Sequence, residues 1–258
     1  MRSSSQTKFL IVLCKIKKIE GIIISTVDYK ESSKIINVFT KEEGIIGVLA
    51  RGSRNMKSKI SATSNTLCYG TFHLNYRQYK LPTLMEVDVI NSFKTIRKDI
   101  LKTNYAMFLL ELASNVYKHG NDNETYNLLI TALNKINDGY DERIITNIIE
   151  LKLLEYLGIK PVVDKCVSCG SPNDIVTISS YKGGYLCKNC VGTEYIYHLK
   201  TIKLIRMFYY IDLSKITKIE VNSSIKKELS LFIDDYYERY SGLYLKSKTL
   251  LETFNKIE

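Results

Sequence analysis

The sequence predicts an α+β protein with several domains, in which an N-terminal antiparallel β-barrel precedes an α-helical domain with an inserted four-cysteine module. Three observations predict this fold class. Short stretches rich in β-branched residues run from residue 19 to 92, apolar residues then recur at helical spacing from Phe93, and four cysteines fall within residues 166–190. The 258 residues, of which 45% are apolar and 25% charged, have the composition of a globular protein with a sizeable core.

The N-terminal region contains five strand-like stretches. Turn residues separate them, and Gly44 suits the tight connection that follows "KEE". Five short strands with one longer basic connection suit a small closed or partly open barrel such as the OB-fold. We therefore predict an OB-fold barrel over residues 19–92, preceded by an N-terminal extension, residues 1–18, that is either a flexible arm or an extra strand. The stretches read "IEGIIISTV", "SKIINVFT", "IIGVLA", "TLCYGTFHLNY" and "TLMEVDVIN".

Helical periodicity dominates the rest of the chain. Three helices are expected in a helical domain, residues 93–160, where Pro161 breaks the pattern. A zinc module, residues 161–195, follows, and residues 196–258 return to amphipathic helices that we expect to pack with the helical domain. Asn222 is placed as the N-cap of one of these helices.

Four cysteines form the strongest motif. Cys166 and Cys169 are separated by two residues, and Cys187 and Cys190 repeat this spacing. Two such knuckles supply the tetrahedral set of four sulfurs that suits zinc. A thioredoxin-like site would have one pair near a βαβ pattern, and disulfides suit exported proteins, so both alternatives fit less well. We predict one structural Zn²⁺, because four protein ligands leave no open coordination position.

Positive charge is concentrated near the N-terminus. Residues 1–100 contain 17 Lys or Arg against 8 Asp or Glu, a net charge of +9, whereas residues 101–258 contain 20 against 19, a net charge of +1. Within residues 44–85 there are six cations and no acid. Such a field attracts polyanions, although a solvated basic face without a partner is the alternative. The six cations are Arg51, Arg54, Lys57, Lys59, Arg77 and Lys80.

Aromatic residues alternate with cations in "YGTFHLNYRQYK". On an extended strand Phe72 and Leu74 share the core face, whereas Tyr76 and Tyr79 lie near the following turn and are candidates for stacking on bases. Flexible Lys and Arg side chains contact phosphates without reading sequence. The predicted nucleic-acid contacts are therefore the six cations and Tyr76.

No enzymatic motif is present. The sequence contains neither a G-x-x-x-x-G-K-[ST] loop nor a G-x-G-x-x-G fingerprint. A zinc deaminase would need His-x-Glu before its cysteines, and none of His73, His119 and His198 has that context. The chain is thus predicted not to be an enzyme. No apolar run approaches the roughly 18 residues of a membrane span, and the start lacks the features of a signal peptide, so we expect a cytoplasmic protein with no membrane contact.

Long parts of the chain closely resemble the bacterial recombination mediators of the RecO family. The resemblance begins with "EGIIISTVDYKESSKIINVFTKEEGIIGVLARGSRNMKSKISATSNTLCYGTF" and continues through "IRKDI...YAMFLLEL", "NIIELKLLEYLGIKP" and "CVSCG...GGYLCKNC". It covers about Glu20 to Cys190 in the family's order, while the C-terminal helices match only in kind. Residues 1 to about 18 precede the usual family start, so an incorrectly assigned start is a third explanation for them.

The resemblance implies a fold and a function. The fold is an OB-fold, a helical domain and a zinc module inserted between helices. The family binds single- and double-stranded DNA, anneals complementary strands and, with RecR, helps load RecA onto DNA coated by single-stranded DNA-binding protein. The chain is thus expected to act in DNA repair and recombination at the nucleoid, with RecA as an indirect partner.

The family has a basic stretch in which Ala, a cation and Gly are followed, after one intervening residue, by Arg. This stretch matches Ala50, Arg51, Gly52 and Arg54. Asn55 and Met56 stand where relatives often have a further basic residue and a proline. The rigidity of the loop is therefore not fixed by its sequence.

Two other functions remain open at this level. The basic barrel would also suit a scaffold that docks acidic protein tails, and the family itself binds the acidic tail of single-stranded DNA-binding protein. An RNA-binding zinc-ribbon accessory protein is the other alternative.

Overall fold

The computed structural model describes residues 15–120 and 122–255 of the chain. The chain divides into two compact units, with the boundary between Ser92 and Phe93. In the described part, no helix combines the length and the apolar character that a membrane span requires.

Five strands form a closed barrel in the first unit. The strands are β1 (Lys15–Tyr29), β2 (Ser33–Thr40), β3 (Gly44–Ala50), β4 (Tyr69–Tyr76) and β5 (Thr83–Asn91). Their order around the barrel is β1-β2-β3-β5-β4, and β1 closes the ring by pairing with both β2 and β4. β1 is 15 residues long, and its pairing with β2 shifts register between Ile23 and Ser25, a bulge that increases local twist.

Alternate side chains of these strands fill the barrel. Phe72 and Leu74 of β4 are fully buried, in agreement with the predicted core face. They pack with Ile23 of β1 and with Ile36 and Val48 of the next two strands. The interior is a packed apolar core, so any ligand of this unit has to bind on its outer surface.

Two glycines allow close approach between neighbouring strands, Gly21 of β1 against β2 and Gly70 of β4 against β5. Gly21 and Gly70 lie opposite each other in the register. A Cβ atom at Gly70 would lie 2.5 Å from the carbonyl oxygen of Asp88, and one at Gly21 would lie 2.7 Å from Val38 Cγ1. Both positions therefore require the absence of a side chain.

The barrel differs from the predicted one in two respects. It is not wholly antiparallel, because β3 and β5 pair in parallel through Leu49 and Thr83. An odd number of strands cannot alternate in direction around a closed ring, so one parallel pair is required. The first strand also begins at Lys15 and not at Ile19, so residues 15–18 continue β1 and are not a separate element. The remainder of the predicted extension, residues 1–14, lies outside the described residues.

Seven helices and a short 3₁₀ turn, Leu213–Lys215, occupy the described part of the second unit. The helices are α1 (Lys94–Arg97), α2 (Ile100–Gly120), α3 (Glu124–Asn137), α4 (Glu142–Tyr156), α5 (Leu199–Tyr210), α6 (Ser223–Tyr240) and α7 (Lys246–Asn255). Most residues of α4 are buried, because this helix packs against α2, α3, α5 and α6.

Local signals set the ends of these helices. The Asp141 side chain accepts a hydrogen bond from the Ile144 amide at 3.0 Å and caps α4. After α4, Gly158 adopts a φ of +73°, a conformation that favours glycine at a helix end. The Asn222 side chain accepts from the Ile225 amide at 2.9 Å, so the predicted N-cap of α6 is confirmed.

A small hairpin is inserted between α4 and α5. It consists of β6 (Ile175–Ser179) and β7 (Gly184–Cys187), paired antiparallel. The Tyr185 hydroxyl donates to the Ile202 carbonyl of α5 at 2.7 Å, and the Tyr240 hydroxyl of α6 donates to the Tyr181 carbonyl in the hairpin turn at 3.0 Å. Hydrogen bonds thus tie the insert to α5 and α6, the two helices that follow it in the chain.

Candidate nucleic-acid interface and metal centre

The loop between β3 and β4, residues 51–68, is bonded to the barrel near both of its ends. At its start the Gly52 amide donates to Ser33 Oγ at 3.2 Å, and at its end the Leu67 amide donates to the Ile23 carbonyl at 3.0 Å. Gly52 has a φ of +67°, which the chain needs in order to turn away from β3. The cations of this loop therefore sit on a segment with a fixed path.

Turns order the middle of the loop. The Asn55 amide donates to the Gly52 carbonyl at 3.0 Å, and the Asn55 carbonyl accepts from the Ser58 amide at 2.9 Å. Asn55 and Met56 were the departures from the family pattern that left the rigidity of the loop undetermined. Backbone hydrogen bonds supply the turns at this position without a proline.

All six predicted cations are exposed, but they differ in their partners. Arg54 is held inside the barrel unit, since its Nη2 lies 3.5 Å from Asp28 Oδ2 and its Nη1 donates to the Lys30 carbonyl at 3.3 Å. Among the described residues, no hydrogen bond or ion pair engages the side chains of the other five cations. Those five present their charge to solvent: Arg51, Lys57, Lys59, Arg77 and Lys80.

Three of the cations meet at a cleft on the outer face of the barrel. Arg51 follows β3, and Arg77 and Lys80 lie between β4 and β5; all three line a cleft of ≈ 270 Å³. The Leu49 amide of β3 donates to the Pro82 carbonyl at 2.8 Å, which brings the two basic segments side by side. No acidic residue lines this cleft, and Arg54, Lys57 and Lys59 lie outside its lining.

The floor of the cleft is apolar. Ile35 of β2 and Leu49 of β3 are opposite each other in the register, and both line the cleft. Their neighbours Ile36 and Val48 are fully buried inside the barrel, so Ile35 and Leu49 face outward. Leu81 lies above β3, with its Cδ2 3.6 Å from the position that a Cβ atom at Gly47 would take. Tyr29 and Thr83 complete the lining.

Sequence reasoning missed these floor residues. A signal was present, because the apolar pair Ile35–Ile36 and the run Val48–Leu49 interrupt the alternation that one buried face requires. Such a run identifies an outward apolar side chain only when the pairing register is known.

Tyr76, the predicted stacking residue, lies in a different environment. Its hydroxyl donates to Glu43 Oε2 at 2.8 Å, and Lys17 Nζ lies 5.0 Å from the centre of its ring. Burial and the hydrogen bond to Glu43 raise the pKa of Tyr76, while the hydrogen bond from Lys17 lowers the pKa of Glu43. The Tyr76 ring is outside the cleft lining, and Tyr79 is 95% exposed in the loop before β5.

The four cysteines come together as the spacing predicts. Cys166, Cys169, Cys187 and Cys190 place their sulfurs within 4.8 Å of one another, and the sulfurs of Cys169 and Cys187 are 3.6 Å apart. Metal–sulfur bonds of about 2.3 Å put the sulfurs of a tetrahedral site about 3.8 Å apart, so this cluster has the dimensions to hold a metal ion.

Backbone geometry shapes the first knuckle for thiolate binding. The Gly170 amide donates to the Cys166 carbonyl at 2.9 Å, and Gly170 has a φ of +77°. Burial raises the pKa of the Cys166 thiol, but hydrogen bonds from the backbone amides of Cys187, Cys169 and Ser168 outweigh it and lower the pKa to about 6. Hydrogen bonds with the Cys187 and Cys169 sulfurs raise the pKa of the Cys190 thiol to about 12. The backbone therefore favours a thiolate at Cys166, whereas Cys190 would need the charge of a bound metal to lose its proton.

Two family models match the chain, and together they cover most of it. The model described as "Recombination protein O N terminal" matches residues 15–93, and the model described as "Recombination protein O C terminal" matches residues 97–249.

Several curated proteins similar to the chain bear the name DNA repair protein RecO. The one from Bacillus pumilus is 38% identical over 245 residues, 93% of this chain and 95% of that protein. The one from Listeria monocytogenes serotype 4b (strain F2365) is 37% identical over 246 residues, which cover 94% of this chain and 96% of the relative. The Bacillus subtilis protein is 36% identical over 245 residues, 93% of this chain and 96% of that protein.

Proposed function

Because the chain belongs to the recombination protein O family, we propose that it is a DNA-binding mediator of DNA repair and homologous recombination. It binds single- and double-stranded DNA, anneals complementary strands and helps load RecA onto DNA coated by single-stranded DNA-binding protein. It acts as a mediator, with no catalytic activity of its own. RecR and single-stranded DNA-binding protein are direct partners, and the protein works in the cytoplasm at the nucleoid.

The observation that carries this proposal is the set of exposed cations on the barrel. Five of them have no counter-charge among the described residues, and three surround one cleft. The strand order β1-β2-β3-β5-β4 is consistent with an OB-fold, in which the face of strands 2 and 3 and the connections between strands 1 and 2 and between strands 4 and 5 bind oligonucleotides. The cleft lies on that face, since Ile35, Leu49 and Arg77 all line it.

The DNA contacts we propose are the seven predicted from the sequence, with different weights. Arg51, Arg77 and Lys80 bind phosphates at the cleft, and Lys57 and Lys59 extend the positive surface along the loop. Arg54 contributes less because Asp28 opposes its charge, and Tyr76 contributes less because its ring lies beside Glu43.

The metal that we propose for the cysteine cluster is one Zn²⁺. Four thiolates of one kind suit zinc and leave no open position, so the ion would fix the fold of the insert and take no part in a reaction. The proposed domains are the OB-fold barrel at residues 19–92 with residues 15–18 added as the start of β1, the helical domain at 93–160, the zinc module at 161–195 and the C-terminal helices at 196–258.

Strand annealing on coated DNA tests this function. Complementary oligonucleotides are first covered with single-stranded DNA-binding protein, and duplex formation is then followed by fluorescence. Wild type is expected to accelerate annealing, and a variant in which five cations are replaced by glutamine should not. This five-cation variant carries R51Q, K57Q, K59Q, R77Q and K80Q.

A matched control removes the same charge from the helical unit. It replaces five exposed lysines for which no ion pair is found among the described residues, and it should anneal like wild type. Wild type that leaves annealing at the spontaneous rate would contradict the proposal, as would a fully active five-cation variant. The control variant carries K118Q, K203Q, K218Q, K227Q and K246Q.

A further inference from the structure

The cleft on the barrel has a feature that phosphate contacts do not need. Its floor is formed by the outward side chains of Ile35 and Leu49, and its walls include Leu81 and Tyr29, which are 48% and 38% exposed. Phosphates are bound by cations and N–H donors, to which apolar side chains add nothing. Ligand sites are lined mostly by apolar side chains with a few polar or charged groups that fix orientation, so an apolar floor beside cations suits a ligand with an apolar part as well as a negative charge.

The size of the cleft limits that ring. At ≈ 270 Å³ it is smaller than the roughly 300–1,000 Å³ of sites for drug-sized ligands, so it has room for one flat ring system. Arg51 stands on one basic segment and Arg77 and Lys80 stand on the other, and none of the lining residues is acidic. A ring on the floor would thus have cations from two separate basic segments beside it.

We propose that this cleft takes one unstacked nucleobase of a single-stranded nucleic acid, while Arg51, Arg77 and Lys80 bind the phosphates on either side of that nucleotide. The inference rests on the proposed function and specifies which form of DNA the site selects. In a duplex both faces of each base are covered by stacking, so a base cannot enter the cleft. The cleft therefore gives the barrel a preference for unpaired strands, which the exposed cations alone would not give.

The surroundings of the cleft favour a nucleic acid over an acidic peptide. Lys57 and Lys59 are exposed cations of the β3–β4 loop outside the cleft lining, and a strand with one charge at every nucleotide can use cations both inside and outside the cleft. The Tyr29 ring also offers an aromatic wall, with Lys30 Nζ 5.4 Å from its centre. A peptide that ends in acidic and apolar residues would use the same chemistry over a shorter length, and the test below separates the two.

The test compares two oligomers that differ only in their bases. One is an oligothymidine of about 12 nucleotides, within the roughly 4–16 nucleotides that one OB-fold covers, and the other has the same backbone with abasic sugars throughout. Wild type should bind the thymidine oligomer about 5- to 150-fold more tightly, the factor that corresponds to the roughly 1–3 kcal/mol of one stacked base.

Two variants locate that difference. Leu81→Ser removes a wall of the cleft and should abolish most of the preference for thymidine, without changing the salt dependence of binding, because no charge is altered. Met85→Ser removes a side chain of similar exposure, 50%, from β5 outside the cleft and should keep the preference. Circular dichroism checks that both variants are folded. Ile35→Thr alters the floor of the cleft while keeping a β-branched residue on the strand, and it should also reduce the preference for thymidine.

Three results would overturn the inference. Equal affinity of wild type for the two oligomers would show that no base is bound, while DNA binding by the barrel would stand. An unchanged preference in both Leu81→Ser and Ile35→Thr would place the base elsewhere. Loss of affinity for a peptide with acidic residues and a C-terminal phenylalanine in Leu81→Ser, with thymidine binding intact, would assign the cleft to a protein partner. In this experiment the proposed function itself would fail if wild type bound neither oligomer.

Discussion

Neutralising the exposed cations of the barrel should change the salt dependence of DNA binding by a calculable amount. The five-cation variant lacks the side chains that have no counter-charge among the described residues, and it retains Arg54, which Asp28 already opposes at 3.5 Å. Each phosphate contact on a single strand contributes about 0.7 to the slope of log K against log salt. Five lost contacts should therefore reduce the slope by about 3.5.

This change in slope predicts a large effect at low salt. Between 50 and 200 mM salt, wild type should lose about 100-fold more affinity than the variant, because a fourfold rise in salt raised to the power 3.5 is a factor of this size. Fluorescence anisotropy with a labelled oligothymidine over this salt range measures both slopes. The control variant, which lacks five lysines of the helical unit, should keep the wild-type slope.

Two outcomes would refute the electrostatic reasoning. If the five-cation variant kept the wild-type slope, these residues would not contact phosphates. If the control variant lost as much slope as the five-cation variant, net charge and not the position of the cations would govern binding.

Three further predictions concern the helical unit and its insert. We expect one zinc ion to co-purify with wild type; Cys187→Ser should lose this ion, whereas Cys68→Ala, outside the cluster, should keep it. Elemental analysis measures the zinc content of each protein. A metal-free wild type would contradict the assignment. Burial, followed by the charge of Asp234, raises the pKa of Glu150 to about 8, so the folded state holds a proton that the unfolded state releases near pH 4.5. Wild type should therefore lose stability as the pH rises from 5 to 8, and Glu150→Gln should not show this loss in urea unfolding; parallel pH profiles would refute the shift. Asn222→Ala should lower the stability of the helical unit by about 1 kcal/mol while Asn222→Ser should not, and equal melting temperatures for the two would argue against the cap.

Local sequence signals predicted most elements of the barrel, but not how they close. The stretches from Ser33 to Thr40 and from Thr83 to Asn91 form strands as expected. The parallel pairing of Leu49 with Thr83 follows from ring closure, a property of all five strands together that no single stretch encodes. Residues 15–18 read as a polar, lysine-rich segment and form a strand because β4 pairs with them.

The sequence pattern predicts where some helices begin and end, but not where others do. α3 and α6 begin and end at the residues that the periodicity gives. Apolar residues at helical spacing continue from Leu199 to Leu213, which predicts a helix over that stretch, but α5 ends at Tyr210. Beyond α5, the Asp212 side chain accepts a hydrogen bond from the Ser214 amide at 3.0 Å and starts a 3₁₀ turn. This side chain takes a backbone amide that a continued helix would use, and the spacing of apolar residues does not reveal such a competition.

The two candidate sites differ in how far the sequence could predict them. The cysteine cluster depends on spacing along the chain and on glycine at position 170, both of which are visible in the sequence. The cleft depends on which side of β2 and β3 faces outward, and this follows from the register between Ile35 and Leu49. Tyr76 was chosen as a stacking residue because its position near a turn was visible, whereas its hydrogen bond to Glu43, 33 residues away, was not.

Lysine footprinting tests most directly whether the exposed cations of the barrel hold DNA. The protein is treated with an amine-acetylating reagent, with and without a saturating single-stranded oligonucleotide, and the modification of each lysine is measured by mass spectrometry. The account predicts that DNA protects Lys57, Lys59 and Lys80 while Lys203 and Lys227 of the helical unit stay reactive. Equal labelling of the three barrel lysines in free and DNA-bound protein would contradict it.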